Sequence, residues 1–147
     1  VSNHFSLARM EEPGWEGCLA SSTDDFRDWH IRTDVALFPW SAQARGFFLD
    51  WEKRPLSAAR HGADPTLDEM HRVWGSPENF ERRKRAIELA RRKNTSALHI
   101  ALAYVLHQPF PTAALIGPRT PMQLADSVAA CNIVLSDDEV NWLDLRS

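Results

Sequence analysis

Cysteine, tyrosine and surplus charge are the scarce quantities in this sequence. Its only two cysteines, Cys18 and Cys131, lie far apart and outside any C-x-x-C pattern. Neither a zinc site nor a disulfide framework is signalled, and both are expected to be buried thiols. Lys+Arg 17 against Asp+Glu 20 leaves a formal charge of -3, which gives no electrostatic reason to expect nucleic acid or another polyanion as partner. No stretch approaches the roughly 18 consecutive apolar residues that cross a bilayer, and no basic leader followed by an apolar run marks export. The expected compartment is therefore the cytoplasm, with no membrane partner. The six histidines include no H-x-x-x-H, and His99 and His107 are too far apart on one predicted helix to share an ion without outside ligands, so no metal site is expected. What remains is ordinary globular composition, 44% hydrophobic and 25% charged over 147 residues, the size of one domain or part of one. The opening Val1-Ser2-Asn3-His4-Phe5 has no methionine and no polar leader, as expected of a processed chain or a piece of a longer one.

No internal repeat or low-complexity tract is present, so organisation is read from periodicity and punctuation. Residues 1–7 partly alternate and predict a strand. Glu11, Glu12, Pro13, Gly14 and Gly17 predict a loop with Trp15 as its anchor. Ser22 or Thr23 can cap a following helix, where Asp24 and Asp25 suit the positive dipole end and Phe26, Trp29 and His30 share a face. Residues 35–40 form a nearly continuous apolar run, predicting a strand covered on both faces whose ladder stops at Pro39. Residues 41–65, with Gly46, Pro55, Gly62 and Pro65, predict a long loop, and long loops in compact domains are usually functional.

Thr66-Leu67-Asp68-Glu69 reads as a capping box for a helix through Trp74, and Ser76-Pro77 opens the next. Along it Glu78 and Arg82, Glu81 and Arg85, and Glu88 and Arg92 are i,i+4 pairs in the favourable order. Thr95 can cap a helix over residues 96–107 that is apolar almost all round and hence buried. Residues 112–116 predict another continuously apolar strand ending at Gly117. Thr120-Pro121-Met122-Gln123 and Ser136-Asp137-Asp138-Glu139 are further capping boxes. Buried strands alternating with helices predict an α/β fold of parallel βα units, either an open doubly wound sheet or a barrel.

Two segments concentrate chemistry. In Leu115-Ile116-Gly117-Pro118-Arg119-Thr120-Pro121-Met122-Gln123 a strand runs through a glycine turn into a capped helix. The helix's free N–H groups and the Arg119 guanidinium then make either an anion site or an ordinary turn with a solvated arginine. In Pro39-Trp40-Ser41-Ala42-Gln43-Ala44-Arg45-Gly46-Phe47-Phe48, Trp40 offers a flat face, Ser41 and Gln43 offer hydrogen bonds, and Gly46 permits close backbone approach. The alternative there is core packing plus a turn. Asn3 and His4 are neighbours on a strand, so one can face a site and the other the packing.

Residues 36–48 resemble the seventh-strand segment of the aldo-keto reductases, residues 114–127 the eighth strand and following helix of that family, and residues 1–7 its sixth strand. The resemblance runs the full chain in order and implies the C-terminal portion of a TIM (β/α)8 barrel that binds NADP. By position, His4 stands where the family usually has Gln near the nicotinamide carboxamide, and Trp40 where an aromatic stacks on the nicotinamide ring. Ser41, Ala42, Gln43, Arg45 and Gly46 would follow the pyrophosphate. Gly117, Arg119, Thr120 and Gln123 would hold the adenosine 2′-phosphate, with Asp126 and Ser127 near the adenine. Gln123 stands where many members have Arg, so preference for NADP over NAD rests mainly on Arg119.

The family's Asp, Tyr, Lys and His catalytic set has no counterpart here, and the one tyrosine, Tyr104, reads as core with its hydroxyl satisfied. No catalytic residue is therefore assigned. The resemblance implies that a complete enzyme would reduce a small carbonyl substrate with NADPH, the missing half supplying the proton donor. Phe47, Phe48, Trp51 and Trp74 are expected to contribute one apolar wall to the carbonyl pocket. Three strands cannot close a barrel of about eight, so either association with the missing N-terminal half or another copy, or an exposed apolar surface, is expected. The competing readings are a structural fragment that binds no cofactor, and a nucleic-acid module built on Arg82-Arg83-Lys84-Arg85 and Arg91-Arg92-Lys93. Interleaved glutamates and the absence of aromatics weigh against the second.

Overall fold

The computed structural model describes residues 1–49 and 65–146. Its regular elements are helices: α1 Asp24–Thr33, α2 Pro65–Trp74, α3 Pro77–Arg92, α4 Ala97–Leu106, α5 Pro121–Ala129 and α6 Asp137–Leu143, with 3-10 turns at Ala44–Gly46 and Ala130–Asn132. Their starts follow local chemistry. Thr23, Ser76, Ser96, Thr120 and Ser136 each accept a hydrogen bond from a first-turn backbone N–H, and the reciprocal capping box is complete at Ser136–Glu139. Two predicted caps move. Ser96 starts α4 in place of Thr95, whose hydroxyl turns to the His99 ring, and α2 begins at Pro65, which puts Thr66 inside its first turn.

The apolar α4 buries residues 100–105 against α3 and the rest of the core. Phe5 stacks on Tyr104 with centroids 5.9 Å apart, and Phe110 closes over Phe5 and His30. Tyr104 is buried as predicted, its hydroxyl accepting from Arg27 Nη1 at 3.2 Å. Burial pushes that phenol up to about 12, so it stays protonated at neutral pH.

Where strands were expected, the structure has extended segments. No strand forms among the described residues; single parallel bridges join His4 to Ala20 and to Trp40, and Leu37 to Thr112. Continuous pairing is interrupted because Pro39 withholds an N–H and Pro109 and Pro111 flank the last segment. Pairing does not stop at Pro39, however. Its carbonyl accepts from Leu115 N–H at 2.9 Å, and Trp40 N–H reaches Asn3 O at 3.3 Å; a proline loses only its donor. Nor is the segment covered on both faces: Leu37 is fully buried, whereas Val35 and Phe38 are exposed. Likewise Leu115 is exposed while Ala114 and Ile116 pack on the core. One face of these segments is therefore apolar and bare.

Other expectations change with packing. Cys18 is buried but Cys131 is exposed, and both are free thiols; Cys131 lies in the 3-10 turn after α5, whose buried member is Ala130. Phe47, Phe48 and Trp74 are core residues and line no open wall, while Trp51, Pro55 and Gly62 lie outside the described residues. Of the three ion pairs predicted on α3, Glu81–Arg85 and Glu88–Arg92 form at 3.2 and 3.7 Å. Arg82 instead turns inward, 4% exposed, toward Asp144.

Asp144, beyond the end of α6, is the centre of a cluster of four arginines. Its carboxylate lies 3.1 Å from Arg9, 3.9 Å from Arg27, 3.7 Å from Arg82 and 2.6 Å from Arg146. Arg9 N–H and Arg82 Nη1 also donate to Asn79 Oδ1. The cluster ties the N-terminal segment, α1, α3 and the C-terminal end together. No helix among the described residues is long and apolar enough to cross a membrane.

Candidate functional site

Parallel pairing gives the three extended segments one direction, so the chain leaving Trp40 and the chain leaving Ile116 emerge at the same end. A direct contact joins them. Gln43 Nε2 donates to Ser127 Oγ at 3.1 Å, linking the loop after Trp40 to α5.

His4 is fully buried. Trp74 Nε1–H donates to its Nε2 at 3.1 Å, so that nitrogen carries the lone pair and the proton resides on Nδ1. Burial holds the imidazole down to about 4, neutral near pH 7. The buried Nδ1 has no hydrogen-bond partner among the described residues. Trp40 lies beside it, ring centroids 5.0 Å apart and nearly perpendicular, and on the other hand contacts Trp15 at 4.6 Å. Trp15, predicted only as a loop anchor, is half exposed and forms part of this aromatic group.

The loop that follows is conformationally costly. Ser41, Ala44 and Arg45 have φ of 53°, 46° and 49°, and Gly46 has φ of 93°. Non-glycine residues in the left-handed region are uncommon and concentrate where function constrains the backbone. Ala42 is buried, leaving only its backbone for any ligand. Arg45 is engaged by Glu69 of α2 at 2.6 Å, so it reaches a ligand only by leaving that pair. Gly46 is needed for its φ, and an added Cβ would also stand 3.0 Å from Leu49 Cδ1. Replacing Gly46 with Ala is expected to destabilise the chain by about 1–2 kcal/mol, read from the urea midpoint, and an unchanged midpoint would show that the turn relaxes freely.

At the other segment, Thr120 caps α5 through Gln123 N–H at 3.2 Å, while Gln123 Oε1 accepts from Arg119 N–H at 2.7 Å. Gln123 thus shapes the turn and keeps its amide N–H groups available. The Arg119 guanidinium is exposed and has no ion-pair partner among the described residues. Gly117 was read as a turn glycine, yet its φ is not positive and an added Cβ would meet nothing within 4 Å. Its backbone does not demand glycine; open space lies beside it. Asp126 accepts from His99 Nε2 at 3.0 Å, and Ser127 is held by Gln43.

The described residues contain no group of three or more His, Cys, Asp or Glu placed to hold a metal ion. A cavity of about 290 Å³ between α3 and α6 is lined by Glu88, Arg92, Asp138, Glu139 and Trp142. It shares no residue with the segments above, and Trp142 there already carries Arg85 and Arg92 against its ring. Other basic residues of α3 and its end are engaged within the chain: Lys84 with Glu81, Arg83 with Leu49 O, and Lys93, just past α3, with Glu139.

The Aldo/keto reductase family profile matches residues 25–145. This chain belongs to that family. It is 31% identical over 110 residues to norsolorinic acid reductase A of Aspergillus parasiticus, covering 75% of this chain and 26% of that protein. It is 32% identical over 106 residues to norsolorinic acid reductase stcV of Emericella nidulans, covering 72% and 25%. It is 29% identical over 117 residues to versiconal hemiacetal acetate reductase of Aspergillus parasiticus, covering 78% and 33%. The chain therefore spans about a quarter to a third of the length of these aldo/keto reductase relatives. Sequence reasoning missed Trp74 as the partner of His4 and His99 as the partner of Asp126. Each contact joins residues far apart in the chain, and only an unassigned histidine in an apolar helix hinted at the second.

Proposed function

We propose that this chain supplies the cofactor-binding part of an NADP-dependent aldo/keto reductase that reduces aldehydes or ketones, and corresponds to the C-terminal portion of its TIM barrel. The observation that carries the reading is the Gln43–Ser127 hydrogen bond, which joins the loop after Trp40 to α5 where the chain leaves parallel segments at one end. Chains that diverge from one edge leave a crevice where a dinucleotide can lie. Two further features suit such a ligand. His4 has a buried Nδ1–H without an acceptor among the described residues, which a carboxamide oxygen would supply, and the backbone at Gly117 borders open space.

When bound, NADPH would supply hydride to the carbonyl carbon. The chain's own residues would bind and orient it. Trp40 offers an aromatic face for the nicotinamide, and Ser41, Ala42, Gln43, Arg45 and Gly46 would follow the pyrophosphate. Gly117, Arg119, Thr120 and Gln123 would take the 2′-phosphate, with Asp126 and Ser127 at the adenine. The proton donor belongs to a part of the enzyme outside this sequence. The bare apolar face bearing Phe38 and Leu115 suits the missing half as partner, or a second copy. That same face favours a second reading, in which the chain is structural and its cofactor site forms only when the missing part covers it.

Titration with NADPH while following tryptophan fluorescence separates the two. Quenching by NADPH, weaker quenching by NADH, and a loss of about tenfold to a hundredfold in NADPH affinity in Arg119→Ala with NADH unaffected are expected. No response at millimolar NADPH would overturn the cofactor reading.

A further inference from the structure

His99 on α4 makes two hydrogen bonds that point one way. Its Nε2 lies 3.0 Å from Asp126 Oδ1, and its Nδ1 lies 2.8 Å from Thr95 Oγ1. A carboxylate only accepts, so Nε2 carries a proton toward Asp126, and in the tautomer with its single proton there Nδ1 accepts a hydrogen bond from the Thr95 hydroxyl. Thr95, His99 and Asp126 thus form one hydrogen-bonded chain. The His99 side chain is 14% exposed and that of Asp126 53% exposed, so the imidazole is held from inside while the carboxylate faces outward. Only Oδ1 is engaged; Oδ2 has no hydrogen-bond partner among the described residues. The next residue, Ser127, is fixed from another element by Gln43. Two consecutive side chains of α5 are therefore positioned from two different elements.

We propose that His99, steadied by Thr95, is a positioning residue that aims the free oxygen of Asp126 at an N–H donor of the nucleotide base and so selects for a base bearing an exocyclic amine. This rests on the reading of residues 117–127 as the adenosine site. A flexible exposed aspartate would spend most of its time hydrated in other rotamers, and a rotamer fixed beforehand removes that ordering from binding. An acceptor held in place discriminates against a base that lacks the matching donor, because the carboxylate loses its water and gains nothing.

The test compares NADPH with its hypoxanthine analogue, which lacks the exocyclic amine, by dissociation constants from fluorescence titration of the whole chain. The unsubstituted chain is expected to favour NADPH by about tenfold. His99→Phe keeps the ring volume without the hydrogen bonds and should bring the ratio close to one. His99→Gln can accept from Thr95 and donate to Asp126, and should restore most of it. A general structural defect would weaken both nucleotides together and leave the ratio standing. If the unsubstituted chain discriminates and His99→Phe does so equally, the positioning role is overturned while the cofactor site stands. If neither nucleotide binds, the cofactor site itself is refuted and the inference with it.

Discussion

Asp144→Asn is expected to destabilise the chain by about 3–5 kcal/mol, the range for breaking a buried ion pair by removing one partner. The substitution preserves shape but leaves Arg9, Arg27, Arg82 and Arg146 facing one another without an anion at their centre. Arg27 and Arg82 are 7% and 4% exposed and cannot recover full hydration without opening the contact between α1, α3 and the C-terminal end. The strain is already visible at Arg82, whose pKa is lowered by burial and by the neighbouring Arg9, with Asp144 acting in the opposite sense. Urea unfolding should show a lower midpoint with an unchanged slope. Arg146→Leu provides the contrast: its side chain is 36% exposed, so solvent screens much of the pair and the loss should be about 1 kcal/mol or less. Equal effects from the two substitutions would mean that Asp144 is not the centre of the cluster.

This cluster also marks where sequence reading stops. Serine and threonine caps were legible because the donor and acceptor lie within three residues of each other, as at Ser76, Thr120 and Ser136. The buried identity of Arg82 was not. Its spacing from Glu78 resembles a surface pair, and the partner that overrides that spacing is Asp144, at the far end of the chain. Residues 35–40 show the same division. Their apolar run announces an extended segment, and the register with Thr112 follows the expected parallel direction. Coverage on a second face depends on what lies opposite, and Phe38 is bare although its own chemistry favours burial.

At the candidate site the capped helix was recognisable alone, because Thr120 and Gln123 are near neighbours in the chain, whereas the expected strand end forms as an extended segment and Gly117 is not required by its backbone. The joining of distant segments was not recognisable: Gln43 and Ser127 are 84 positions apart, and His4 and Trp74 are 70 apart. Several expected ligand contacts are also committed within the chain. Arg45 lies on Glu69 and the Gln123 carbonyl on Arg119 N–H, so binding a dinucleotide would exchange the first pair and keep the second.

The His4–Trp74 contact makes stability depend on pH in a defined direction. Unfolded, the imidazole titrates near the usual 6.5; folded, burial lowers it to about 4. Above pH 6.5 both states are neutral and the contact is intact. As pH falls from 6.5 toward 4 the unfolded chain takes up a proton that the folded chain refuses, so stability is lost across that window, by about 3 kcal/mol in all. Below about 4 the folded imidazole must also charge, and its Nε2–H then confronts the Trp74 Nε1–H, donor against donor. His4→Gln keeps an acceptor for Trp74 and removes the titrating group. Its melting temperature should therefore fall less between pH 6.5 and 4 than that of the unsubstituted chain, while the carboxylates common to both contribute equally. Near pH 7 the two should differ little in stability, because the side-chain oxygen of Gln can replace Nε2 as acceptor. Parallel melting curves for the two proteins across that interval would show that burial of His4 does not set the acid limit.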